Sequence, residues 1–350
     1  MQFDLFYEIS QPPQLKRSEI DAFTQTLAEI DLADRLGFGC AWLVEHHFMR
    51  GYSHSAKPDL ILAAASQRTQ KIRLGLAVTP LPYHHPIHIA ERAATLDILS
   101  QGRLELGIGR GFSPQEYQAF GVQMSQSRSM TAESLAIIRK AFARQPVTFH
   151  GQHYQLDALD ILPYPVQTPH PPLWTAAVSP ETFLWAAQEQ LGMLAGPFKP
   201  WFMVKQDIRH YRDAWQAASP PRIGMTVGIF CLPDGKQARA LAKDALIWFY
   251  RQLFATTLPV LEKLYPGYEH FHELGKFRNL LEAGINLTLL ETFGMVVVGS
   301  PAECIAKLQK YRTAGVTNLL CAVGAGALDT ALIQESMHCI AEQVMPALRD

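Results

Sequence analysis

A Glu-His-His triplet is the first place in the sequence where side chains suited to catalysis stand together. Glu45, His46 and His47 directly follow an apolar run at 40–44. A histidine titrates near neutral pH, so one imidazole at the mouth of a cavity can carry a proton during a reaction. The triplet could also hold a metal ion, or form a polar contact with no catalytic role. Adjacent residues leaving a strand point in opposite directions, and the His-Glu-x-x-His spacing is absent, so we predict no metal site.

A cation and a hydroxyl-bearing helix start, far apart in the sequence, could together bind a phosphate. Residues 107–111 read Gly-Ile-Gly-Arg-Gly, where small residues let a ligand approach the backbone and Arg110 adds a fixed positive charge. They do not match a dinucleotide fingerprint, because Phe112 stands where the third glycine belongs. Ser179 to Thr182 read Ser-Pro-Glu-Thr, which is typical of an ordinary N-cap but also directs N–H groups and hydroxyls at an anion.

Eight short apolar runs predict the strands that must position these residues. They lie at 3–7, 40–44, 72–78, 104–109, 173–177, 193–195, 223–232 and 317–323. Segments with helical spacing separate them. At one such helix, Ser300 to Glu303 predict an N-cap and Gly315 predicts a helix stop. This alternation predicts a (β/α)8 TIM barrel, with a doubly wound open sheet as the alternative.

A barrel would bring the candidate residues to one cavity. The active sites of parallel barrels lie where the carboxyl ends of the strands lead into their loops. The triplet follows the second predicted strand, Arg110 follows the fourth, and Ser179 follows the fifth. Arg110, Ser179 and Thr182 would then form a phosphate clamp, because arginine–phosphate contacts are charge-assisted. A phosphorylated cofactor held by its tail would have its ring near His46.

We expect a single domain over 1–350 with two departures from the alternation. Residues 145–172 predict a β-hairpin followed by an extended connector after the fourth helix. Residues 255–299 form a long excursion before the eighth strand, and long insertions in compact domains are usually lids or binding loops. We therefore predict a mobile lid over 255–299.

Composition excludes several classes of protein. The chain has 350 residues, 48% of them hydrophobic and 18% charged, which is typical of a globular protein. With 31 basic and 32 acidic side chains, no broad positive field attracts nucleic acid or an acidic membrane surface. No apolar run is long enough to span a membrane. Five scattered cysteines without a Cys-x-x-Cys argue against a disulfide framework, and we expect a cytoplasmic protein.

Four sequence motifs, in the same order along the chain, resemble the bacterial luciferase family, especially its α subunits. They read QPP at 11–13, WLVEHHF at 42–48, GRLELGIGRG at 102–111 and SPAECI at 300–305. The resemblance runs over 1–121, 179–192 and 299–348. It implies a (β/α)8 barrel that takes reduced FMN from a separate flavin reductase, captures dioxygen as a flavin peroxide and inserts one oxygen atom into an organic substrate.

The resemblance also implies roles for individual residues. His46 matches the catalytic histidine of the family, with Glu45 and His47 beside it. Arg110, Ser179 and Thr182 match the positions that bind the flavin phosphate. The other implied flavin contacts are Ala77 and Val78, where the family has a cis peptide against the ring; Phe112, through its backbone at the pyrimidine end; Glu116, an acidic position that affects flavin affinity; and Val178, through its backbone N–H.

Departures from the family pattern limit what the resemblance implies. Gly109 stands where luciferase α subunits carry a reactive cysteine, and Val178 replaces a glutamate. Residues 255–299 lack the basic sequence of the luciferase lid and read Phe-Arg-Asn-Leu-Leu-Glu at 277–282, so light emission and a long-chain aldehyde do not follow from the resemblance. We expect a small hydrophobic substrate of the aldehyde or ketone class. Small residues at 63–65 and 93–94 would suit a homodimer, or would simply pack against the barrel.

Three other functions stay open from the sequence. A deazaflavin-dependent enzyme of the same superfamily would transfer hydride and need no oxygen. A non-catalytic flavin-binding subunit, like the luciferase β chain, would support a separate catalytic chain. A barrel metallohydrolase would use the pairs of adjacent histidines, at 46–47 and 84–85, as metal ligands.

Overall fold

Eight parallel strands close into a barrel in the computed structural model, which describes residues 1–197, 199–262, 284–326 and 328–349. The strands of the described residues are β1 (Gln2–Tyr7), β2 (Cys40–Leu43), β3 (Arg73–Pro80), β4 (Leu104–Gly109), β5 (Val147–His150), β6 (Gln155–Leu159), β7 (Leu173–Ala177), β8 (Gly192–Ala195), β9 (Ile223–Cys231), β10 (Val296–Gly299) and β11 (Asn318–Ala322). The barrel order is β1-β2-β3-β4-β7-β8-β9-β11, and β11 pairs back with β1. The (β/α)8 barrel predicted from the apolar runs is confirmed.

Helices connect the barrel strands. They are α1 (Glu19–Leu36), α2 (Pro58–Ser66), α3 (Pro86–Leu99), α4 (Pro114–Ala119), α5 (Ser127–Phe142), α6 (Pro180–Gln188), α7 (Trp201–Ala214), α8 (Gly235–Glu262), α9 (Leu287–Thr292), α10 (Pro301–Ala314), α11 (Thr330–Cys339) and α12 (Met345–Leu348). Local sequence sets their ends. Ser300 and Glu303 form a capping box at the start of α10, and Gly315 ends it at φ 94°, a left-handed conformation that suits glycine.

The strand β10 lies within 255–299, the segment for which the sequence analysis predicts a mobile lid rather than a strand. Val296–Gly299 pairs in parallel with the carboxyl-terminal half of β9, while the amino-terminal end of β9 pairs with β8. Part of α8 and the whole of α9 also lie in this segment, and the mobile lid expected over 255–299 stays a prediction. Residues 263–283 lie outside the described residues. A run of four apolar residues has too little periodicity to reveal a strand whose partner is distant in sequence.

Within 145–172, β5 and β6 pair as an antiparallel hairpin, with Val147 opposite Leu159. The connector that follows returns to α3. The Asp97 carboxylate accepts hydrogen bonds from the backbone N–H groups of Val166 at 2.8 Å and Gln167 at 2.9 Å. One buried carboxylate thus fixes the connector against the barrel wall.

A layer of polar and aromatic side chains fills the amino-terminal half of the barrel. The Trp42 and Trp174 rings meet edge to face with their centroids 5.3 Å apart. The Trp42 indole donates to Asp4 Oδ2 at 2.9 Å, and the Trp174 indole donates to Glu105 Oε2 at 2.6 Å. A Cβ at Gly75 would lie 2.2 Å from the Trp42 ring, so glycine is needed there. We call this packed layer the barrel floor; none of its four polar and aromatic side chains is among the residues that line the cavity described below.

All five cysteines, Cys40, Cys231, Cys304, Cys321 and Cys339, are buried free thiols. Among the described residues, no helix combines the length and the apolar character that a membrane crossing requires.

Candidate active site

A large cavity opens at the carboxyl ends of the barrel strands. Its empty volume, counted together with the solvent at its open mouth, is about 1430 Å³. Every candidate residue of the sequence analysis except His47 lines it: Glu45, His46, Ala77, Val78, Arg110, Phe112, Glu116, Val178, Ser179 and Thr182. The fold therefore gathers residues from four successive barrel strands and their loops at one wall.

The two halves of the predicted phosphate clamp lie on neighbouring strands. Arg110 directly follows β4, Ser179 follows β7, and β4 pairs with β7 in parallel. Ser179 is buried at the start of α6, where its Oγ accepts from the backbone N–H of Thr182 at 3.2 Å. The Ser179 and Thr182 hydroxyl oxygens are 2.9 Å apart. A guanidinium, two hydroxyls and a helix N-terminus thus line one cavity, which is a suitable arrangement for an anion.

His46 lies between two carboxylates. Its Nε2 is 4.0 Å from Glu8 Oε2, and its Nδ1 is 3.7 Å from Glu116 Oε1. Burial disfavours the charged imidazolium, but Glu8, followed by Glu116 and Glu45, outweighs burial and raises the pKa of His46. The Phe112 and His46 rings meet edge to face with their centroids 5.6 Å apart. His46 is therefore placed to hold a proton at the cavity wall.

His47 differs from the expectation, because it is not among the described residues that line the cavity. Its ring packs edge to face on Phe120, and its Nε2 contacts Glu45 Oε1 at 3.2 Å. The second partner of that oxygen is His84 Nε2, at 2.5 Å. Burial opposes ionisation of Glu45, but these two histidines outweigh it and hold the pKa of Glu45 at about 2. His47 and His84 thus fix Glu45 as a carboxylate.

The remaining predicted contacts lie around the same space. The Ala77–Val78 peptide bond is cis, as the resemblance implies. Glu116 is fixed from two sides, because its Oε1 accepts from the His47 backbone N–H at 2.8 Å and its Oε2 accepts from the Tyr83 hydroxyl at 3.1 Å. Glu116 therefore presents a rigid carboxylate to the cavity.

Several cavity residues were missed by the sequence analysis. Glu8 follows β1, and its alternation with Asp4 and Phe6 is a period-two signal that could have placed it in the barrel mouth. Arg128 and Thr131 reach the cavity from α5, and no local pattern distinguishes them from other helical polar residues. The Thr131 Oγ1 is buried and has no hydrogen-bond partner within the described residues. Such an atom marks a place where a ligand can supply the partner.

In the described part of the chain, no group of three His, Cys, Asp or Glu side chains is arranged to hold a metal ion.

A closed (β/α)8 barrel with a cavity at the carboxyl ends of its strands, lined by a histidine between two carboxylates and by a guanidinium and two hydroxyls, has the architecture of a barrel enzyme. The sequence profile of the luciferase-like monooxygenase family matches residues 1–318, and the chain belongs to that family. Members of this family use a flavin. The barrel and the enzyme class inferred from the sequence are confirmed.

Curated relatives span most of the chain. Limonene 1,2-monooxygenase of Rhodococcus erythropolis is 31% identical and covers 93% of this chain and 81% of its own. The alkanal monooxygenase α chain of the Kryptophanaron alfredi symbiont is 27% identical and covers 100% and 99%.

Solved structures share the fold over the whole length. The monooxygenase RslO1 of Streptomyces bottropensis superposes with a TM-score of 0.84 at 27% identity, covering 99% of both chains. The coenzyme F420-dependent tetrahydromethanopterin reductase of Methanopyrus kandleri superposes at 0.70, with 18% identity and 99% coverage of both. The fold alone therefore does not distinguish a flavin from a deazaflavin.

Proposed function

We propose that this protein is a monooxygenase that uses reduced FMN to transfer one oxygen atom of dioxygen to a hydrophobic aldehyde or ketone. The observation that carries the proposal is the shared cavity of Arg110, Ser179, Thr182 and His46. An arginine and two hydroxyls that can bind an anion line the same cavity as a histidine that can hold a proton, which suits a phosphorylated cofactor whose ring does chemistry.

The residues of the cavity fit FMN. The Arg110 guanidinium and the hydroxyls of Ser179 and Thr182 would hold the phosphate, with the backbone N–H of Val178 beside them. The unpartnered Thr131 Oγ1 offers a further hydrogen bond to the polar tail of the cofactor.

Bound reduced FMN supplies the two electrons that activate dioxygen. The chain must then exclude water and place a proton. An apolar part of the cavity wall keeps water from the reaction centre, and it is formed by Phe6, Val44, Leu194 and Leu320. His46 holds a proton beside it and donates that proton to an oxygen that develops negative charge. The same apolar wall favours a hydrophobic substrate.

We propose that a separate flavin reductase supplies the reduced FMN, as the membership of the luciferase-like family suggests. We also propose a homodimer. The structure buries Ala65, Ala93 and Ala94 within the chain but leaves Ala63 half-buried and Ala64 exposed, so the interface would use Ala64 together with neighbours such as Leu60 on α2, which is 67% exposed. Light scattering during size-exclusion chromatography measures the mass directly.

The test supplies chemically reduced FMN to the purified chain without oxygen and then admits ¹⁸O-labelled dioxygen together with medium-chain aldehydes or cyclic ketones. The proposal expects one ¹⁸O atom in the product by mass spectrometry. Oxidation of reduced F420 without oxygen consumption would favour the deazaflavin alternative. Tight FMN binding without any product would favour a supporting subunit.

A further inference from the structure

Glu8 is a buried carboxylate at the cavity wall to which the proposed function assigns no role. It directly follows β1, where Asp4 bonds into the barrel floor while Phe6 and Glu8 line the cavity. Glu8 is 7% exposed, and its Oε2 has no hydrogen-bond partner in the described part of the chain. Burying a carboxylate oxygen without a partner is costly, so a retained one points to a role.

The loop after β2 holds this carboxylate in position. The Tyr52 hydroxyl donates to Glu8 Oε1 at 2.9 Å, and the Ser53 hydroxyl donates to the Glu8 backbone carbonyl at 2.8 Å. The Ser10 hydroxyl in turn donates to the Tyr52 carbonyl at 2.7 Å. Side chain and backbone are therefore both fixed, and the second oxygen, Oε2, stays 4.0 Å from His46 Nε2.

A carboxylate thus faces each ring nitrogen of His46, with Glu8 at Nε2 and Glu116 at Nδ1. A neutral imidazole has one N–H, whereas the imidazolium has two, so this arrangement favours the protonated ring. Among the described residues, further charged and titratable groups near the ring are Glu45 on its own loop, Arg110 in the same cavity, and Tyr52, whose ring centroid lies 6.3 Å away.

We propose that Glu8 is a positioning residue that keeps His46 protonated and oriented, so that the Nε2 proton is available to the reacting oxygen. This assignment rests on the function proposed above. It makes His46 a proton donor rather than a base.

The titration behaviour of the pair agrees with this geometry. Burial lowers the pKa of His46, but the Glu8 charge more than compensates for it, and the net pKa of His46 is raised. Burial also raises the pKa of Glu8, although His46 and the Tyr52 hydroxyl partly offset this. Both shifts favour retention of a proton on the pair.

The test follows the titration of His46 by NMR in flavin-free protein with labelled histidine, its signal assigned from its loss in His46→Ala. Glu8→Gln removes the charge and keeps the shape. An opposite charge within about 4–6 Å changes a pKa by about one unit or more, so the variant should lower the proton affinity of His46 about tenfold or more. The matched control is Glu19→Gln, which removes an exposed carboxylate 2.8 Å from His54 and should leave His46 unchanged.

An unchanged His46 titration in Glu8→Gln would overturn the assignment, and so would an equal change in Glu19→Gln. Should Glu8→Gln fail to fold, Glu8→Met serves as an apolar replacement of similar volume, with the same expectation. Because this readout needs no turnover, it stands even if the oxygenation assay fails. With a product in hand, the alkaline limb of kcat against pH should move to lower pH in Glu8→Gln, while FMN affinity stays within about twofold.

Discussion

Replacing Ser179 by alanine separates the two roles of a serine at a helix start. The residue caps α6, and it lies in the cavity beside Thr182. Losing the cap should cost about 1 kcal/mol of folding free energy. Losing a hydrogen bond to a charged phosphate should cost about 1.5–3 kcal/mol of binding free energy. At about 1.4 kcal/mol per tenfold change in affinity, FMN should bind roughly 10- to 150-fold more weakly.

The chain offers a matched control for this substitution. Ser300 caps α10 with the same Ser-Pro start, and its Oγ accepts from the Glu303 backbone N–H at 3.5 Å. Ser300→Ala should lower stability by a similar amount and leave FMN affinity unchanged. Calorimetry would measure binding of FMN and of riboflavin, which lacks the phosphate, and urea unfolding would measure stability. Riboflavin affinity should be the same in Ser179→Ala and wild type.

Two results would refute this reasoning. Wild-type FMN affinity in Ser179→Ala would mean that the hydroxyl does not contact the phosphate. An equal loss of FMN and riboflavin affinity would mean that the substitution disturbs the cavity as a whole.

Three further predictions follow from the site. His46→Ala should leave FMN affinity nearly intact while product formation falls about 100-fold or more, and equal turnover would end the assignment. Arg128 lines the cavity but is exposed, and an exposed ion pair with the FMN phosphate would contribute only about 0–1 kcal/mol. Arg128→Gln should therefore weaken FMN binding at most about fivefold and leave the binding of riboflavin, which has no phosphate, unchanged. The third concerns Glu45, whose pKa of about 2 lies below its ordinary value of 4.5. Its stabilising contribution is complete above pH 4.5 and lost as the pH falls toward 2. Urea unfolding across that range should therefore show a shallower loss of stability for Glu45→Gln than for wild type.

Much of the fold could be predicted from the sequence because helix ends and strand ends depend on residues close together in the chain. The capping box of Ser300 and Glu303 and the stop at Gly315 depend on residues within one helix, so their types and spacing suffice. The predicted strand ends placed Arg110 and Ser179 at the same barrel edge, because parallel strands present their carboxyl ends together. The short strand β10 depends on pairing with distant β9, which no local pattern reveals.

The site was harder to read where contacts join distant segments. His46 and His47 are adjacent in sequence, yet only the first lines the cavity, and the loop conformation decides which. Glu8 meets His46 only because β1 and β2 are neighbours and their loops are hydrogen-bonded. Arg128 depends on how α5 packs over the barrel mouth. These contacts are consequences of tertiary structure rather than of sequence spacing.

The burial of all five cysteines should protect the protein from oxidation by side products of oxygen activation. Enzymes that activate dioxygen lose part of it as hydrogen peroxide, which attacks thiolates. Here all five cysteines are buried, and burial raises the pKa of Cys40 and Cys321, so these two thiols stay in their unreactive form. Working lifetime in the presence of oxygen should therefore be independent of added reductant.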